Sequence, residues 1–107
     1  MICADDLLAT TRGLDADDLA RWIGSALVTP TQEEGEVLFS EPDRARVHLL
    51  CTLRYTLEID DDTLPVVLSL IDQLYATRAQ LRALAAAVAA QDAGVQKGIV
   101  AALAPRP

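Results

Sequence analysis

The side chains with chemistry to offer are two cysteines, one histidine and a surplus of carboxylates. Cys3 and Cys51 do not have the close spacing of metal ligands. His48 stands alone and cannot complete a metal cluster. Nothing near it resembles a catalytic partner. A buried, apolar place is therefore expected for Cys51, and a surface or half-buried structural place for His48. No glycine-rich phosphate loop occurs. Hydroxyls without a matched base, and carboxylates without a metal pocket, do not make a catalytic site. The chain reads as a non-enzyme with no catalytic residue, no metal site and no cofactor.

The carboxylates are unevenly placed. The 107 residues carry a net charge of −7. Residues 1–62 hold fourteen acids and five bases, a balance of −9, and residues 63–107 hold two acids and four bases, a balance of +2. A surface of the first kind repels a phosphate backbone and attracts a basic protein. Asp60, Asp61 and Asp62 form the densest run. The rival cluster is Asp15, Asp17 and Asp18 with Glu33 and Glu34.

These groups must be held by a core of aliphatic side chains. Half the chain (51%) is hydrophobic but only 4% is aromatic, which leaves no obvious stacking platform for single strands. The length suits one domain, and a core this small is often completed by dimerisation. No apolar run reaches the ~18 residues of a membrane span. The acidic first residues are unlike a signal peptide.

Periodicity gives the elements. Residues 5–11 read as a short helix closed near Gly13. Asp15 is suited to cap a second helix, with Leu19, Trp22 and Ile23 on one face. Leu27, Val28 and Thr29, then Val37, Leu38 and Phe39, read as two strands of a small hairpin around a polar turn. Pro30 marks an edge. Ser40 caps a third helix through the Asp43 amide, with Pro42 in its first turn. That helix is expected to run to about Leu57, with Val47, Leu50, Leu53 and Leu57 facing the core. The acidic segment 58–62 breaks it, and Asp61 or Asp62 caps the next helix, with Pro65 in its first turn.

From there to about Gln91 nothing interrupts a helix of ~28 residues, ~42 Å long. Val67, Leu74, Leu81 and Val88 repeat every seven residues, and Leu70, Thr77 and Leu84 do so with an offset of three. These are a and d positions of a heptad and predict pairing with a second copy. Near its start, Val66, Leu68 and Ile71 add a face for packing on the chain's own domain. Asp72 falls at position f, pointing away from the seam. The expected organisation is a domain over 1–60, a dimerisation helix over 61–92 and a flexible tail over 93–107.

Helix, turn, helix, hairpin, helix, break and long helix is an order that resembles the MerR-like winged helix-turn-helix domain. The run from Asp18 to Ile23 and then Leu27-Val28-Thr29-Pro30 is similar to its second helix and the approach to its wing. Val37-Leu38-Phe39-Ser40-Glu41 is similar to the return from the wing. Ala26 and Glu58 stand where glycine is common in such domains. Leu53-Arg54-Tyr55-Thr56-Leu57, and above all the stretch from Leu64 to Leu74 (LPVVLSLIDQL), resemble the chaperone modulator family, CbpM.

The resemblance implies a mainly α fold with a small β-hairpin wing and a long dimerisation helix. It implies a cytoplasmic homodimer that binds the J-domain of a DnaJ-like, CbpA-type co-chaperone and inhibits its cooperation with the Hsp70 DnaK. Asp60, Asp61, Asp62 and Asp72 are the expected partner-binding residues. The alternative is a MerR-type DNA-binding regulator. Residues 15–24 carry three acids and only Arg21, and the hairpin turn carries Glu33, Glu34 and Glu36 without a base. Neither nucleic acid nor membrane is expected as a partner.

Overall fold

Local capping chemistry sets most helix starts in the computed structural model, which describes residues 1–105. The elements are β1 (Ile2–Cys3), α1 (Ala4–Thr10), α2 (Ala16–Gly24), β2 (Thr31–Glu33), β3 (Glu36–Phe39), α3 (Glu41–Cys51), α4 (Leu64–Ala89) and α5 (Ala93–Leu103). Asp15 accepts from the amides of Asp17 and Asp18 at 2.7 and 3.2 Å and so starts α2. Ser40 and Asp43 form a reciprocal capping box at the start of α3, each side chain accepting from the other's amide. The protein is mainly helical, with one antiparallel sheet in the order β1-β3-β2.

The hairpin differs from its expected position. Residues 27–29 are not a strand; the strand begins at Thr31 and pairs Thr31, Gln32 and Glu33 with Leu38, Val37 and Glu36. The reason lies at the end of α2. The Ala26 amide bonds the Ile23 carbonyl and the Leu27 amide bonds that of Trp22, with Ala26 in the left-handed region at φ 58°. This C-terminal cap consumes residues 25–27, and Val28 is buried instead of paired. Glu34 and Gly35 both have positive φ, 49° and 80°, as a tight two-residue hairpin turn requires. β1 was not legible in the sequence. It is two residues long and adds to the free edge of β3 through Ile2–Phe39 and Cys3–Leu38.

The third helix does continue toward Leu57, but not as an α-helix. Residues Thr52–Thr56 form a π-helical turn, closed by the Leu57 amide on the Thr52 carbonyl. The extra residue in that turn rotates the following side chains out of register. Val47, Leu50 and Leu53 face the core, whereas Leu57 is exposed. The turn ends with Glu58 at φ 57° and the Ile59 amide on the Leu53 carbonyl. The side chain that leads into α4 is also corrected: Asp60, not Asp61 or Asp62, accepts from the Thr63 amide at 2.8 Å.

The chain divides into two units, Met1–Leu68 and the residues from Ser69 onward. The first holds the core: Leu7, Leu19, Trp22, Val28, Phe39, Val47, Leu50, Cys51, Leu53, Leu64 and Leu68 are buried. Leu64 and Leu68 lie one turn apart on α4, so its first two turns pack on their own domain as the sequence suggests, although Val66 faces outward. In the second unit none of the described residues is buried. The segment expected as a flexible tail contains α5, capped by Asp92 on the Val95 amide at 2.9 Å. Residues 106–107 of that tail lie outside the described residues. Among the described residues no helix is long and apolar enough to cross a membrane.

Candidate interaction surfaces

Arg21, on α2, is the centre of a polar junction that the sequence did not reveal. Its guanidinium pairs with Asp18 and with Asp61, each at 2.9 Å. Asp61 also faces Arg54 of the π-helical turn at 3.6 Å. That separation is too long for a hydrogen bond, and the facing atoms, Arg54 Nε and Asp61 Oδ1, are buried without a hydrogen-bond partner. The contact is Coulombic. Next to it the Tyr55 hydroxyl donates to Asp18 at 2.5 Å and accepts from the Asp15 amide at 3.3 Å. The Tyr55 ring lies 6.2 Å from that of Trp22, which is fully buried. Desolvation, then the hydrogen bond to Asp18, pushes the Tyr55 pKa up to about 12.

This junction joins the two acidic clusters that the sequence offered as rivals. Asp18 belongs to one and Asp61 to the other, and Arg21 holds both. The carboxylates within them are unequally placed. Asp15 is occupied as a helix cap. Asp60 is bound to Thr63, whose side chain and amide hold its carboxyl below the usual range. Asp61 is tied to two arginines. Asp17 and Asp62 are exposed. Asp72 is exposed on α4 in the second unit.

A further set of carboxylates rims the hairpin. Glu33, Glu34 and Glu36 are exposed and line a shallow concavity with Leu38. Glu33 and Glu36 are direct partners across the ladder. Like charges in that arrangement weaken a hairpin.

Most of the arginines of residues 1–62 are engaged away from these glutamates. Arg21 and Arg54 are in the junction, Arg44 pairs with Glu41 at 2.9 Å, and Arg46 donates to the Leu27 carbonyl at 2.8 Å. Four of the five are thus committed to partners inside the chain.

The heptad stripe of α4 is a second, apolar surface. Leu70, Leu74, Leu81 and Leu84 are 60, 49, 64 and 62% exposed, with Tyr75 beside them at 61%. Thr77 is exposed, and Val67 and Val88 at the two ends are half-buried.

The remaining candidates for chemistry are scattered. His48 is exposed on α3. Cys51 is a buried free thiol, and burial followed by the charge of Asp18 pushes its pKa up. Cys3 is half-buried and also free. Among the described residues no group of three or more His, Cys, Asp and Glu side chains is placed to hold a metal ion. Comparison with protein-family models, curated proteins and solved structures finds no match to this chain.

Proposed function

We propose that this chain is a non-enzymatic chaperone modulator. It binds the J-domain of a DnaJ-like, CbpA-type co-chaperone and inhibits its cooperation with the Hsp70 DnaK. It works as a homodimer paired through the α4 stripe, on a MerR-like winged helix-turn-helix frame in which β2 and β3 are the wing. The observation that carries this reading is the uncompensated acidic surface of residues 1–62. Asp17, Asp62 and the hairpin glutamates stay exposed, while four of five arginines are spent internally. A J-domain presents a basic helix, and complementary charge speeds and orients such an encounter. The hairpin adds support, because Glu33 opposite Glu36 costs local stability and a sequence that breaks a local rule often does so for function.

The order of elements also favours a second reading, a MerR-type DNA-binding regulator. A DNA reader needs bases on α2 and on the wing to meet phosphates. Here the one base of α2, Arg21, is tied to Asp18 and Asp61. Size-exclusion chromatography at low salt separates the readings, because low salt favours any electrostatic complex. The chain is expected to co-elute with a J-domain and to leave duplex DNA unshifted. Co-elution with DNA and not with the J-domain would reverse the order of the two readings.

A further inference from the structure

Helix α5 buries none of its side chains in the single chain, although Gln96 and Ile99 are half-buried. An isolated helix of 11 residues is marginal in water, and Gly94 and Gly98 weaken this one further. Yet its N-terminal end is fixed. Asp92 caps it, and the Gln96 side chain donates to the carbonyls of Ala89 and Gln91 at 3.2 and 2.7 Å, fastening it to the end of α4. Val95, Ile99 and Leu103 recur at i, i+4 and i+8 on one face, with Val100 at its margin. Val95, Val100 and Leu103 are 44, 65 and 77% exposed, and no residue of α5 is buried.

What covers this face is indicated by α4. Its stripe repeats every seven residues and is therefore complementary to the same stripe on another copy. Leu70, Leu74, Leu81 and Leu84 are already a third to a half covered, and a stable interface buries roughly 800 Å² on each partner. The apolar face of α5, anchored at the end of that stripe, adds to the surface the stripe offers. We infer that a second copy of the chain covers α5 together with the α4 stripe. Two α4–α5 pairs then form a four-helix assembly, not a two-stranded coil. This rests on the α4 pairing proposed above.

Sedimentation equilibrium on the full chain tests it. Val95→Asp combined with Leu103→Asp alters two exposed positions and is expected to weaken self-association at least tenfold. Lys97→Asp, on the other side of the helix, is expected to leave it unchanged. If the double variant associates as tightly as the wild type, the role of α5 is refuted while α4 pairing stands. A wild-type chain that stays monomeric at all concentrations refutes the pairing itself. Loss of helix content in the double variant, at concentrations where the wild type is also monomeric, would mean that α5 packs on its own chain and would equally overturn the inference.

Discussion

Tyr55 donates to Asp18 and accepts from the Asp15 amide, so ionising it removes a donor and sets two anions against each other. Its pKa is about 12 in the folded chain, against about 10 for an unfolded tyrosine. A group whose pKa is raised by folding stabilises the fold fully below its unfolded value. That contribution is lost as pH rises through the folded value. Wild-type stability is therefore expected to fall between about pH 10 and 12, and Tyr55→Phe to be less stable at neutral pH with a shallower alkaline decline. Denaturant melts across that window check it; identical pH profiles would remove Tyr55 from the junction. Cys51 gives a second expectation. Its thiol is buried and its pKa raised, so an alkylating reagent should modify Cys3 first, as peptide mass spectrometry would show.

Three non-glycine residues carry backbone strain: Glu34 in the hairpin turn, at φ 49°, and two that follow helical segments. Ala26 and Glu58 sit at φ 58° and 57°, a region that costs an L-residue about 1–2 kcal/mol. Glycine avoids that cost but loses more entropy on folding. Ala26→Gly and Glu58→Gly are each expected to stabilise the chain by a net of about 0.5–1 kcal/mol. Chemical denaturation reads this directly, and a loss of stability would contradict the cap geometry. The expected likeness to a MerR-like domain marks both positions, because glycine is common there in such domains. The Arg21 junction was not visible, because its partners lie about 40 positions apart and no local pattern links them.

At the scale of elements, what was legible was what is local. The caps at Asp15 and Ser40, the helix face of Leu19 and Trp22, and the buried start of α4 all follow from spacing within a few residues. The first hairpin strand was displaced because Leu27, Val28 and Thr29 have strand propensity but are claimed by the α2 cap and the core. The end of α3 kept its length but changed its pitch at Thr52, whose hydroxyl bonds the His48 carbonyl at 3.1 Å. Gly94 and Gly98 suggest a break and so predict a tail, whereas the Asp92 cap and the Gln96 clasp hold α5 as a helix. The stripe of α4 makes its own prediction. Leu81 is 64% exposed in the single chain, so Leu81→Asp should leave the fold intact. In a paired seam the same carboxylate would be buried without a partner, at a cost of several kcal/mol. Light scattering should show the wild type as a dimer and Leu81→Asp as a folded monomer; a variant that remains dimeric refutes the seam.

For the molecule as a whole, charge and apolar surface fall in different parts of the sequence. Residues 1–68 carry all but two of the acids and the buried core, and the residues from Ser69 onward carry exposed leucines and valines around a slightly basic balance. Such a division suits a protein whose first part recognises a basic partner and whose second part recognises itself. Junction carboxylates such as Asp61 are already paired with arginine, so under the proposed function their exposed neighbours, Asp17 and Asp62, are the ones expected to meet a basic partner.

Titration calorimetry of a CbpA-type J-domain into the wild-type chain and into Asp17→Lys with Asp62→Lys, at low and high salt, tests this most directly. The account predicts that the wild type binds, that its affinity falls as salt rises, and that the double reversal weakens binding more than tenfold while light scattering still reports a dimer. Absence of heat with the wild type, or equal affinity of both chains at both salt concentrations, would contradict it.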